Sequence, residues 1–177
     1  MPICGNILLQ GTKEPGTKGE TTMTFAEMII LYHKYSASTL YLFGFDFHGE
    51  LYYIFLTFEE LAEMAKPDKA SAEKGGFNKI RIRSSKEQRN AMAHSPRAVH
   101  AGSTANLIEN VPGVKNHGHA FEKLMTETFT NETWKRDKVP FYKAPDIYVG
   151  KEPVQIKFDD AELTNEKVLR SAIAFKG

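Results

Sequence analysis

Asp146, Gln155 and Lys157 are the residues whose types and spacing point most directly to chemistry. They sit in the stretch 144–158, where Ile147 and Val149 alternate with Asp146 and Tyr148, and Val154, Ile156 and Phe158 alternate with Gln155 and Lys157. This alternation predicts two short strands joined by a tight turn. Successive strand side chains point to opposite faces, so Gln155 and Lys157 share a face. Asp146 joins them if Gly150 and Lys151 are the two central turn residues. Glycine at the first of these positions suits a type II′ turn. Pro153 then faces Tyr148 in a non-hydrogen-bonded pair, where its missing N–H costs nothing. A turn at Lys151 and Glu152 would demand a ladder bond that Pro153 cannot give. A carboxylate, a carboxamide and an ammonium group are thus gathered on one face of an apolar hairpin. They form either the polar part of a site or the solvated side of a half-buried strand pair.

The Pro-Asp followed by Gln-x-Lys resembles the catalytic hairpin of the PD-(D/E)xK nuclease superfamily, the restriction-endonuclease-like fold. The resemblance implies a divalent metal, Mg²⁺ or Mn²⁺, held by Asp146, Gln155 and the backbone carbonyl of Ile156, with Lys157 beside the attacking water. Gln155 stands where Glu is commoner; its amide oxygen can ligate a hard cation but brings no charge. Nucleases of this kind often carry a Glu on the helix before the catalytic strands, and Glu122 matches that position as a further catalytic and metal-binding residue. His119, one turn earlier, is a second-shell candidate able to reach a phosphate or a water. The resemblance covers residues 118–177 and stops short of the family pattern, which continues with a further strand. Either strands before residue 90 complete the sheet, or a partner chain does, or the core is pared down.

Other chemistries find no footing. The sequence contains no glycine-rich phosphate loop, cysteine pair or His-Glu-x-x-His helix. His117 and His119 have too few neighbours at ligand spacing for zinc. The densest basic patch comprises Lys79, Arg81 and Arg83 on one strand face, Lys86 and Arg89 on the helix after it, and Arg97. It reads either as a nucleic-acid contact that tracks phosphates or as a solvated face.

The positioning elements follow from periodicity. Thr24 with Glu27, Thr57 with Glu60, Ser84 with Glu87, and Asp159 with Glu162 have capping-box spacing, so each predicts a helix start. The first of these helices carries the apolar stripe Phe25, Met28, Ile29, Tyr32 and Tyr35. The last runs to Phe175, with Val168, Leu169, Ala172 and Ile173 inward. Residues 39–57, with His48 and Gly49 at the middle, predict an aromatic hairpin that is core rather than a base-stacking platform. Residues 77–83 predict a strand with Ile80 and Ile82 on one face. Residues 118–129 predict a helix with Phe121, Leu124, Met125 and Phe129 as its stripe and Glu122 at the edge. A short strand at Ile3 and residues 7–9 precedes a loop at 11–23; residues 131–142 lead extended into the hairpin.

At 177 residues, with 41% hydrophobic and 25% charged residues, the chain has the make-up of a globular protein with one adequate core. A net charge of +1 assigns any nucleic-acid contact to local clusters. One cysteine, Cys4, permits no internal disulfide, and no apolar run is long enough to span a bilayer, so the expected location is cytoplasmic, away from membranes. The expected fold class is α/β with a mixed sheet. An N-terminal α/β module spans 1–94, a linker or mobile loop 95–117, and a restriction-endonuclease-like core 118–177. The expected function is a metal-dependent endonuclease acting on DNA in preference to RNA, with a homodimer as a further expectation. The alternative is a binding protein that keeps the nuclease scaffold without the chemistry, such as an inhibitor or a nucleic-acid sequestering module.

Overall fold

The structure, a computed structural model, describes residues 24–67, 79–109, 116–135 and 145–164. It is a mixed α/β fold with two sheets. In chain order the elements are α1 (Phe25–Ser36), β1 (Leu40–Phe47), β2 (Glu50–Leu56), α2 (Phe58–Ala62), β3 (Ala65–Pro67), β4 (Lys79–Ile82), α3 (Lys86–Ala93), β5 (Val99–Ser103), α4 (Thr104–Glu109), α5 (His117–Phe129), β6 (Ile147–Val149), β7 (Glu152–Phe158) and β8 (Ala161–Thr164). The larger sheet has the order β5-β2-β1-β7-β6, and the smaller one β3-β4-β8. Among the described residues only the β1–β7 pair is parallel, with Leu40 opposite Val154 and Gly44 opposite Phe158.

The aromatic run of β1 splits by parity between two cores. Tyr41, Phe43 and Phe45 enter one cluster with Tyr32, Phe58, Leu61, Ile80 and Ile82. Leu42 enters the other with Phe121, Met125, Val154 and Ile156. β1 is therefore buried on both faces, and its aromatics are core. The β1–β2 turn has positive φ at both His48 (52°) and Gly49 (82°), the type I′ pattern that suits strand twist.

Thr24 caps α1 by accepting the N–H of Glu27, but Glu27 does not return the bond: its side chain is fully buried and has no hydrogen-bond partner among the described residues. Thr57 and Glu60 form the expected reciprocal box. The third box falls one residue later than its spacing suggested, on Ser85 and Gln88, because Ser84 is engaged elsewhere by Asp159. Asp159 starts no helix; residues 161–164 form a strand that pairs antiparallel with β4. The expected helix beyond 164 and the expected strand near Ile3 lie outside the described residues.

Residues 99–109, expected within a linker or mobile loop, instead form β5 at one sheet edge and α4. The strands expected to divide between an N-terminal module and a C-terminal core share both sheets. β1 lies beside β7, and β4 lies beside β8. Among the described residues no helix is long and apolar enough to cross a membrane.

Candidate functional site

The hairpin adopts the register that the turn chemistry predicts. Ile147 faces Val154, Tyr148 faces Pro153 and Val149 faces Glu152, which sets Asp146 opposite Gln155 one step beyond the ladder. Gly150 has φ 63° while Lys151 does not have a positive φ, the pattern of a type II′ turn. At the open end the two polar side chains cross. Gln155 Oε1 accepts the N–H of Asp146 at 3.1 Å, and Asp146 Oδ2 accepts the N–H of Ile156 at 2.8 Å. Gln155 is buried and Asp146 half-buried.

The residue that would extend the ladder opposite Ile156 is Pro145, and the Ile156 N–H is taken instead by the Asp146 carboxylate. Pro145 has no N–H to give in return, so the carbonyl of Ile156, on the same strand edge, receives no ladder bond from it. A carboxylate, an amide oxygen and a backbone carbonyl thus meet at one end of the hairpin. Each of these oxygens has more than one lone-pair site. Hard divalent cations take such oxygen donors, with waters completing the shell. The residues fit Mg²⁺ or Mn²⁺ as an amide-and-carbonyl site with a single carboxylate. Among the described residues no cluster of three or more His, Cys, Asp and Glu side chains is placed to hold a metal.

The parity of β7 sets the rest. Gln155 and Lys157 pair with Tyr41 and Phe43 and share their face, whereas Ile156 and Phe158 face α5. Glu122 and His119 come from α5. They meet Lys157 only around the C-terminal end of β7, where a cleft of about 400 Å³ is lined by His119, Glu122, Lys157, Phe158, Asp159 and Asp160 among others. Asp146 and Gln155 stand outside that lining. At the cleft mouth the His117 ring stacks on Phe158, with centroids 5.4 Å apart and planes 14° apart. The His119 ring lies 6.2 Å from Trp134.

The basic residues divide. Arg83 grips Asp160 through Nε and Nη2, both at 3.3 Å from Oδ1, and Arg81 donates to the Asp160 carbonyl at 3.1 Å. Arg89 donates to the Ser84 carbonyl at 2.8 Å and lies 3.9 Å from Asp159. Asp159 in turn accepts the Ser84 N–H at 2.9 Å and the Ser84 hydroxyl. Arg81, Arg83 and Arg89 are thus brought together on Asp159 and Asp160 at the rim of the cleft. Arg97 is elsewhere, paired with Glu60 at 2.6 Å, and its guanidinium holds the Glu60 carboxyl down at about 2. Lys86 is exposed at the start of α3, and Lys79 opens β4 opposite Thr164.

Sequence reasoning missed Asp159, Asp160 and Ser84 as neighbours of the site. Their one local signal was an acidic pair two residues after Lys157. Comparison of the chain with protein-family models, curated proteins and solved structures finds no match.

Proposed function

We propose that this chain is a metal-dependent nuclease that hydrolyses phosphodiester bonds of DNA, built around a restriction-endonuclease-like core. One observation carries the reading: Asp146 stands opposite Gln155 at the hairpin mouth, with the Ile156 carbonyl on the same edge and Lys157 opening into the cleft that Glu122 lines. The parallel neighbour of β7 is β1, which supports a reading in which an early strand stands in for the further strand of the family pattern. Asp146, Gln155 and Ile156 would hold Mg²⁺ or Mn²⁺; Glu122 lines the cleft beside Lys157, outside that set, and would act there on the water or the phosphate. When bound, the metal polarises the phosphoryl oxygen and lowers the pKa of its water. Lys157 orients that water and offsets charge as it develops on the phosphoryl oxygens. His119 donates to a phosphate or a water from the α5 side. Arg81, Arg83 and Arg89 face two aspartates at the rim and would meet the DNA backbone only by exchanging those carboxylates for phosphates. A single cysteine supports a reducing, cytoplasmic setting.

A second reading rests on the crossed bonds at the hairpin mouth. Asp146 and Gln155 each satisfy a backbone N–H of the opposite strand, as they would in a metal-free scaffold that only binds nucleic acid or another protein. Incubating wild type and Lys157→Ala with plasmid, linear DNA and RNA, with and without Mn²⁺, decides between them. The nuclease reading expects metal-dependent cleavage that Lys157→Ala loses while retaining Mn²⁺ binding, because a group acting in the transition state affects turnover more than affinity. Equal inertness of both proteins on every substrate leaves the binding-protein reading in its place.

A further inference from the structure

All four arginines among the described residues are engaged by carboxylates: Arg81 and Arg83 by Asp160, Arg89 by Asp159 and Arg97 by Glu60. A protein that tracks duplex DNA needs a row of cations available to successive phosphates. Here a phosphate would have to displace an aspartate from its arginine, and the cleft rim itself carries Asp159 and Asp160. The cleft has other assets. Its volume of about 400 Å³ lies in the range of sites that enclose one small ligand. One wall is aromatic, since His117 is exposed and stacked in near-parallel fashion on Phe158, which is in turn 5.5 Å from Phe121 in the core. Lys157 and His119 share the polar side with Glu122, Asp159 and Asp160. Base stacking on an aromatic ring is tolerant of sequence and does not depend on rows of cations.

We infer that this cleft takes one unpaired nucleotide of a DNA strand, its base stacked on the outer face of His117. The substrate class is therefore single-stranded DNA, or an overhanging or frayed end, rather than intact duplex. The hydrolytic step rests on the nuclease reading; the base site does not.

A single-stranded oligonucleotide carrying 2-aminopurine, titrated in EDTA so that no cleavage occurs, tests the base site directly. The fluorescence should be quenched on binding, and the single strand should bind on the order of tenfold or more tighter than the blunt duplex of the same sequence. His117→Ala should weaken single-strand binding about tenfold, the scale of one lost stacking contact. His117→Phe, which keeps a ring, should restore it. A duplex that binds as tightly as the single strand, or an unchanged affinity in His117→Ala, overturns the proposal. Adding Mn²⁺ then separates it from the chemistry. Quenching without cleavage retires the nuclease reading and leaves the base site standing. Equal cleavage of single strand and duplex, unaffected in His117→Ala, retires the base site alone.

Discussion

Gly44 lies directly beneath the ring of Phe121: a Cβ on Gly44 would sit 2.5 Å from the ring carbons Cε1 and Cζ. The absence of a side chain on β1 is what lets α5 settle against the sheet. The carbonyl of the same glycine accepts the N–H of Asp159 at 2.8 Å, which ties down the end of β7 just after Lys157. Gly44→Ala should therefore destabilise by about 1–3 kcal/mol, since overpacking forces a buried ring off its rotamer. Adding Phe121→Leu should recover part of that loss, because neighbours that share a clash are not additive. Urea unfolding of the three variants checks this; a Gly44→Ala protein as stable as wild type would mean the ring yields at no cost.

Asp146→Asn should keep the fold, since an amide oxygen can still accept the Ile156 N–H, but should abolish Mn²⁺ binding by removing the carboxylate charge at the hairpin mouth. Asp146→Ala should additionally destabilise by about 1–2 kcal/mol through the unsatisfied N–H. Calorimetric titration with Mn²⁺ beside thermal melts separates the two effects.

Gln155→Glu places a second carboxyl opposite Asp146 in a position that is only 4% exposed. Burial and the neighbouring carboxylate both raise the pKa of such a group. In EDTA the variant should melt below wild type at neutral pH, and Mn²⁺ should restore it to wild type or above. Identical melting with and without Mn²⁺ in this variant would count against a metal held by this pair.

The Glu60–Arg97 pair sets an acid limit. The Arg97 hydrogen bonds hold the Glu60 carboxyl at about 2, against an ordinary 4.5. A depressed carboxylate contributes stability that is present above the unfolded value and lost as pH falls through the folded one. Stability should thus fall between about pH 4.5 and 2. Glu60→Gln should reduce the slope in that window while leaving the slope above pH 5.5 unchanged, measured by urea midpoints across the pH series. Both side chains are substantially exposed, so salt should shrink the effect.

Ser84→Ala removes the hydroxyl that donates to Asp159 and should cost about 1–3 kcal/mol, the scale of a hydrogen bond to a charged group. Because Asp159 follows Lys157 closely, the same change should also lower any cleavage rate. A variant of wild-type stability would show that Arg89 and the Ser84 N–H suffice to hold Asp159.

The hairpin of β6 and β7 was legible because its constraints are local. Gly150 fixes the turn and Pro153 forbids the alternative register, so Asp146 opposite Gln155 followed from adjacent residues alone. The box at Thr57 and Glu60 was legible for the same reason. The pairings of β1 with β7 and of β4 with β8 were not, since nothing in either strand names its distant partner. Those pairings explain the misreadings nearby. Asp159 draws Ser84 away from helix capping, and β4 draws residues 161–164 into a strand. One signal went unused. The apolar stripe of α5 had to pack on the apolar side of β7, which sends Gln155 and Lys157 to the far face and leaves Glu122 to meet Lys157 around the strand's end.

The parallel β1–β7 pair has a kinetic consequence. Leu40 and Val154 are more than a hundred positions apart, and the central sheet is not continuous until they meet. Closing so long a loop costs entropy before any contact repays it, and folds dominated by such pairings fold slowly. The two crossing bonds of Asp146 and Gln155 form within a hairpin that can close on its own in microseconds. The bonds at the hairpin mouth are thus local in sequence, whereas the cleft around Lys157 depends on the long-range closure of β7 on β1.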